Sequence, residues 1–184
     1  MSASHHNLVL GYHGCHLTIF NEVVRNGGRL EPSKNDYDWL GHGIYFWENS
    51  FARAEDWAKK RYGDDGKVIG AVLKLNYCLD LTDFAAVEIV RQGYQSLKDA
   101  VGDFGDMPKN QGGKNNLDCA VIEQIHLFNK FNKDDERLEY DSVRGLFPEG
   151  KPIYDGSGFS DRTHTQICIR NPGCILGCFA PQRQ

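Results

Sequence analysis

The stretch Leu40-Gly41-His42-Gly43-Ile44-Tyr45-Phe46-Trp47-Glu48 constrains this chain more than any other. Gly43 to Trp47 reads as a strand, and the glycines before it let a ligand approach the backbone closely. Ser50 is then placed to cap a helix that runs to about Tyr62. Phe51, Ala54, Trp57 and Ala58 fall on one face of that helix, and Gly63 follows its end.

Other elements follow from the same patterns. Leu8-Val9-Leu10 is a short apolar run that leads into a glycine-bracketed turn, Gly11-Tyr12-His13-Gly14. Thr18 to Asn26 reads as a helix capped by Thr18 and stopped by Gly27-Gly28, with a polar loop from Glu31 to Asp38 beyond it. Val68 to Leu75 is a strand. Thr82 opens a helix with Phe84, Val87, Val90, Tyr94, Leu97 and Val101 at helical spacing. Gly102 to Asn116 reads as a mobile loop, and Leu117, Val121, Ile125 and Phe128 mark another helix. Asn132 to Glu139 is charged and reads as exposed, and Tyr140 to Arg162 reads as loop. Thr165 to Arg170 and Cys174 to Phe179 close the chain as strands. Strands near both ends with helices between them predict an α+β class.

A length of 184 residues predicts one domain spanning 1–184, with 1–7 a flexible tail. The net charge of -4 argues against non-specific nucleic-acid binding, which needs a basic face. Lys59-Lys60-Arg61 reads as the solvated end of a helix, although it could form a local basic patch. Of the six cysteines none forms a CxxC pair, no zinc-type spacing occurs, and no metal is expected. No run is long enough to cross a membrane and Met1 to Asn7 is polar, so a cytoplasmic protein with free thiols is expected.

Three segments carry chemistry: Tyr12-His13-Gly14, the Leu40–Glu48 stretch, and His164-Thr165-Gln166-Ile167-Cys168-Ile169. Each alone has a plain structural reading: a hydrogen-bonded His, a core Tyr, a satisfied Gln at a strand edge. Their joint order resembles the ADP-ribosyltransferase superfamily, in its diphtheria-toxin-like and poly(ADP-ribose)-polymerase-like branch. The resemblance rests on His13-Gly14, on Gly41-His42-Gly43-Ile44-Tyr45-Phe46 and on Ser50-Phe51-Ala52-Arg53-Ala54. Gln166 stands where that branch has a catalytic Glu. Ser33 through Trp57 is also similar to small bacterial toxins of toxin–antitoxin phage-defence systems, including one kind that modifies messenger RNA.

The resemblance implies two packed, mostly antiparallel sheets with flanking helices. It implies NAD⁺ as substrate, cleavage of the nicotinamide–ribose bond, and transfer of ADP-ribose to a macromolecular acceptor, RNA or protein, with an antitoxin as a further partner. That cleavage builds oxocarbenium character on the ribose. By the resemblance, the Gly14 backbone holds the nicotinamide carboxamide, and His13 holds an adenosine-ribose hydroxyl. Tyr45, with Gly43 beside it, stacks on nicotinamide; Trp57 adds a second wall, and Arg53 meets the pyrophosphate. Gln166 can accept a hydrogen bond but carries no charge, which favours transfer of a single ADP-ribose. Glu149 is the first candidate to activate the acceptor and Glu48 the second, each with the plain alternative of an exposed loop carboxylate. Within Ser142-Val143-Arg144-Gly145, Arg144 could bind an acceptor phosphate. Rival readings are a non-catalytic NAD⁺ or ADP-ribose binding module, an NAD glycohydrolase, and an RNA 2′-phosphotransferase-like enzyme, for which too few basic residues are suitably placed.

Overall fold

The computed structural model describes residues 8–102, 105–131 and 139–182; the expected tail 1–7 and most of the charged stretch 132–139 lie outside them. The chain runs β1 (Leu8–His16), α1 (Leu17–Phe20) with a π-turn over Asn21–Arg25, β2 (Ile44–Glu48), α2 (Phe51–Tyr62), β3 (Gly66–Lys74) and β4 (Cys78–Asp80). It continues through α3 (Phe84–Val101), a small ribbon of β5 (Asn110–Gln111) and β6 (Lys114–Asn115), α4 (Asn116–Phe131), β7 (Ser142–Phe147), β8 (His164–Ile169) and β9 (Ile175–Phe179).

The result is a mixed fold of helices and strands. The seven long-range strands form one sheet in the order β4-β7-β8-β2-β1-β3-β9, not two separate sheets. Every neighbour is antiparallel except β4 and β7. The sheet is nearly divided all the same. β1 pairs with β3 continuously from Leu8–Lys74 to His16–Gly66. It pairs with β2 only at Gly11–Glu48 and Tyr12–Trp47, after which the two strands part. Alternation in sequence reports which faces are buried and says nothing about where two strands separate.

One core lies on the face covered by α1 and the π-turn, where Ile44, Phe46, Ile69, Leu73, Ile167 and Ile169 are fully buried. Each such side chain contributes roughly 1.5–3 kcal/mol of transfer free energy. On the other face, α3 and α4 cover β7 and β8 through Leu79, Val121, Ile125, Val143 and Cys168. The α2 helix packs there through Ala54, with Tyr12, Trp47, Phe51 and Trp57 around it.

Several sequence expectations need correction. The turn expected at Gly11–Gly14 is the middle of β1. Its glycines serve packing: a Cβ at Gly11 would lie 2.6 Å from Leu73, and one at Gly14 2.8 Å from the Ala54 carbonyl. The loop expected from Tyr140 contains β7, a central strand. Gly145 suggested a turn, but its missing side chain leaves room for the Trp39 ring, which a Cβ would approach to 2.7 Å. His16, not Thr18, caps α1, and Asp83, not Thr82, caps α3 by accepting from the Ala85 N–H at 3.0 Å. Ser50 sits at the start of α2 without a side-chain capping bond. On α3, Phe84, Val87 and Tyr94 of the expected stripe are exposed, while Val90 and Leu97 pack against the core, and Phe128 on α4 is exposed. The buried face of α3 runs through Ala86 and Gly93, whose small size lets Ile125 of α4 close in.

Candidate active site

A cleft of about 450 Å³ opens where β2 leaves β1. Its walls include Ile44 and Phe46 from one face of β2, and Tyr45 and Trp47 from the other. A cavity lined by both faces of one strand must run along that strand's edge. His13, Gly14, Gly43, Tyr45, Trp57 and Gln166 all line it, so six of the ten residues singled out from sequence converge.

The β1 edge of the cleft presents backbone. The Asn49 N–H donates to the Leu10 carbonyl at 2.8 Å, so Leu10 turns its backbone groups toward β2. Strand alternation gives Tyr12 and Gly14 the same direction. At Gly14 the neighbouring strand has gone, and its N–H and C=O face the gap. His13 spans that gap: its Nδ1–H donates to the Tyr45 carbonyl at 2.8 Å. A carbonyl can only accept, so the proton sits on Nδ1 and Nε2 is left as an acceptor. Burial holds the His13 pKa below the usual histidine value and keeps the ring neutral.

Tyr45 is fixed at both ends. Its hydroxyl donates to the Gly41 carbonyl at 2.7 Å and accepts from the Leu40 N–H at 2.9 Å, while its ring lines the cleft. Burial pushes its phenol pKa far up, so it stays neutral. Gly41 has φ +79°, a conformation open to glycine, and a Cβ there would lie 2.5 Å from Glu123 Oε1. Glu123 on α4 accepts from the His42 N–H at 2.8 Å and pairs with Arg170, which donates to the His42 carbonyl at 3.0 Å. The Gly-His-Gly turn is thus bolted to a helix and to the strand end behind it.

Gln166 has a defined orientation. The Trp39 indole N–H donates to its Oε1 at 2.8 Å. Its Nε2 meets His164 Nε2 at 2.9 Å, and His164 Nδ1 meets the Arg162 carbonyl at 2.6 Å. Indole is only a donor and the carbonyl only an acceptor, so the chain of bonds has one consistent direction. Gln166 donates to an unprotonated His164 Nε2. Burial lowers the His164 pKa first of all, which agrees with that neutral form.

Arg53 and Glu149 are not in the cleft. Arg53 pairs with Glu149 and Asp56 and lies 5.9 Å over the Trp47 ring, beside a separate recess shared with Arg162 and His164. Glu48 and Arg144 are also engaged: Arg144 reaches across β8 to Glu48 at 2.6 Å and back to Asp80 at 3.0 Å. Arg61 of the basic trio does line the cleft, whereas Lys60 forms an exposed pair with Asp56. Sequence reasoning missed Trp39 and Asp38, and named Arg61 only within a helix end or basic patch. A tryptophan at the end of a polar loop was the available signal.

Among the described residues no group of three or more His, Cys, Asp or Glu could hold a metal, and no helix is long and apolar enough to cross a membrane.

His126, buried on α4, has no hydrogen-bond partner on either ring nitrogen among the described residues and packs edge-on against Tyr140. Desolvation lowers its pKa to about 3. The unfolded chain takes up that proton below about pH 6.5 and the folded chain does not, so stability falls as pH drops through this window. By pH 4 the loss from this one residue is on the order of 3 kcal/mol. His126→Leu should flatten the pH dependence of Tm between pH 7 and 4; an unchanged slope would refute the assignment.

No protein-family model matches the chain, and no solved structure matches it. It is similar to an uncharacterized protein of Methanocaldococcus jannaschii, 24% identical over 181 residues, which span 89% of this chain and 83% of that protein. The likeness runs through most of both chains and brings no activity with it, so the functional reading rests on the geometry of the cleft.

Proposed function

We propose that this protein is an NAD⁺-dependent mono-ADP-ribosyltransferase of the family its sequence resembles. The observation that carries the proposal is the convergence of His13, the Gly14 backbone, Tyr45, Trp57 and Gln166 on one cleft between parting strands. The cleft-facing backbone edge of Gly14 suits a carboxamide, which offers both donor and acceptor. The Tyr45 ring suits the nicotinamide face, and the free Nε2 of His13 suits a ribose hydroxyl. Arg61, which lines the cleft where Arg53 does not, suits the pyrophosphate. The acceptor is a macromolecule, RNA or protein, and a toxin role with an antitoxin partner is part of the same proposal.

The amide of Gln166 supports a second reading, a binding module or a slow NAD glycohydrolase. Both its oxygen and its nitrogen are already tied to Trp39 and His164, and neither brings charge. Labelled NAD⁺ added to a lysate with the purified protein separates the readings. Transferase action yields nicotinamide together with label in an RNA or protein fraction. Nicotinamide without label marks the glycohydrolase, and no release above background with any extract marks the binding module. His13→Ala should lower release at least about tenfold.

A further inference from the structure

Gln166 brings no negative charge to the cleft. Breaking the nicotinamide–ribose bond puts positive charge on the ribose, and the transfer step must discard the acceptor's proton. The carboxylates named from sequence cannot serve, because Glu149 is paired with Arg53 and Glu48 with Arg144. The cleft itself is lined by two carboxylates among the described residues, Glu31 and Asp38. Glu31 is exposed; Asp38 is half-buried.

We propose that Asp38 is the catalytic carboxylate of this cleft, in the role that Gln166 cannot fill. The inference rests on the NAD⁺ reading. Asp38 belongs to a short, heavily tied segment. Its carbonyl accepts from the Gly41 N–H at 2.8 Å, and its N–H donates to the Asn35 carbonyl at 3.2 Å. The next residue, Trp39, holds the Gln166 oxygen. Two and three residues on, Leu40 and Gly41 hold the Tyr45 hydroxyl. One turn therefore fixes the carboxylate, the Gln166 side chain and the Tyr45 ring relative to each other.

The carboxylate is also oriented. Ser33 Oγ and Asn35 Nδ2 both donate to Oδ2, which fixes the carboxylate in the turn that lines the cleft. Ser33 is itself clamped to Gly43 by paired backbone bonds of 2.8 and 3.1 Å. Burial raises the Asp38 carboxyl pKa, making it a stronger proton acceptor than a surface aspartate.

The C1′–N bond breaks, and its electron pair leaves with neutral nicotinamide. The acceptor's lone pair forms the new bond to C1′. The acceptor's proton passes to Asp38 and then to solvent.

Asp38→Asn keeps the shape and the bond from Ser33 but removes the charge. In the full chain, NAD⁺ affinity by calorimetry should stay within about threefold of wild type, while nicotinamide release falls by about 100-fold or more. Adding Gln166→Glu to Asp38→Asn puts a carboxylate back on the cleft wall and should restore release at least about tenfold. Wild-type release from Asp38→Asn overturns the proposal. So does a parallel loss of binding and release that Asp38→Glu fails to reverse, since that marks a structural role. A wild-type protein that neither binds NAD⁺ nor releases nicotinamide overturns the NAD⁺ reading first, and this inference with it.

Discussion

Tyr45→Ala should weaken NAD⁺ binding by about 30-fold or more, the scale of about 2 kcal/mol typical for truncating a central aromatic contact. The ring is a wall of the cleft, and its hydroxyl is the peg on which Leu40 and Gly41 hang. Alanine removes both, and with them the fixed position of the neighbouring Trp39 and Asp38. Tyr45→Phe separates the two contributions. It keeps the ring but leaves the Leu40 N–H without its acceptor, which costs about 1–3 kcal/mol of stability. The phenylalanine variant should therefore bind NAD⁺ within a few-fold of wild type while melting at a lower temperature. Calorimetric titration and thermal unfolding of both variants provide the check. Equal affinity of the alanine and wild-type proteins would remove Tyr45 from the site.

Arg144→Met should cost about 3 kcal/mol of folding stability. The Arg144 guanidinium bridges Glu48 on β2 and Asp80 on β4, with the Thr82 hydroxyl accepting a further bond at 2.9 Å. Glu48 is nearly enclosed, its side chain 11% exposed, so losing its partner leaves a desolvated charge. Relieving that charge should relieve the cost: Arg144→Met with Glu48→Gln should recover a large part of the loss. The same pair tests a sequence expectation. If Arg144 bound an acceptor phosphate, Arg144→Met would block labelling of the acceptor with stability unchanged. A destabilised protein that still transfers ADP-ribose at low temperature places Arg144 in the scaffold.

Much of the cleft was legible in the sequence. His13, Gly14, Tyr45 and Gln166 sit on strand positions, with Gly43 just before β2, in an order along the chain that survives folding, and Trp57 follows from the face of α2 set by Ala54 and Ala58. What escaped was pairing between distant segments. Arg53 and Glu149 each suited a role in the cleft, but they are 96 residues apart and satisfy each other instead. Trp39 and Gln166 are 127 residues apart, and nothing local in either stretch announces their bond. Glycine misled in two places. Gly11 and Gly145 looked like turns and are strand residues that yield space to Leu73 and Trp39. Periodicity chose a stripe on α3 that is only partly buried, because the close approach of α4 is set by the small residues Ala86 and Gly93.

The narrow seam between β1 and β2 makes the protein two slabs joined by a short weld. Load carried across the sheet must pass through the pairs at Gly11–Glu48 and Tyr12–Trp47, helped by the His13 strap to the Tyr45 carbonyl. A molecule lodged in the gap adds contacts to both slabs at once, so it would stiffen the sheet as a keystone stiffens an arch. For this architecture, grip on the ligand and cohesion of the two halves are one quantity seen from two sides.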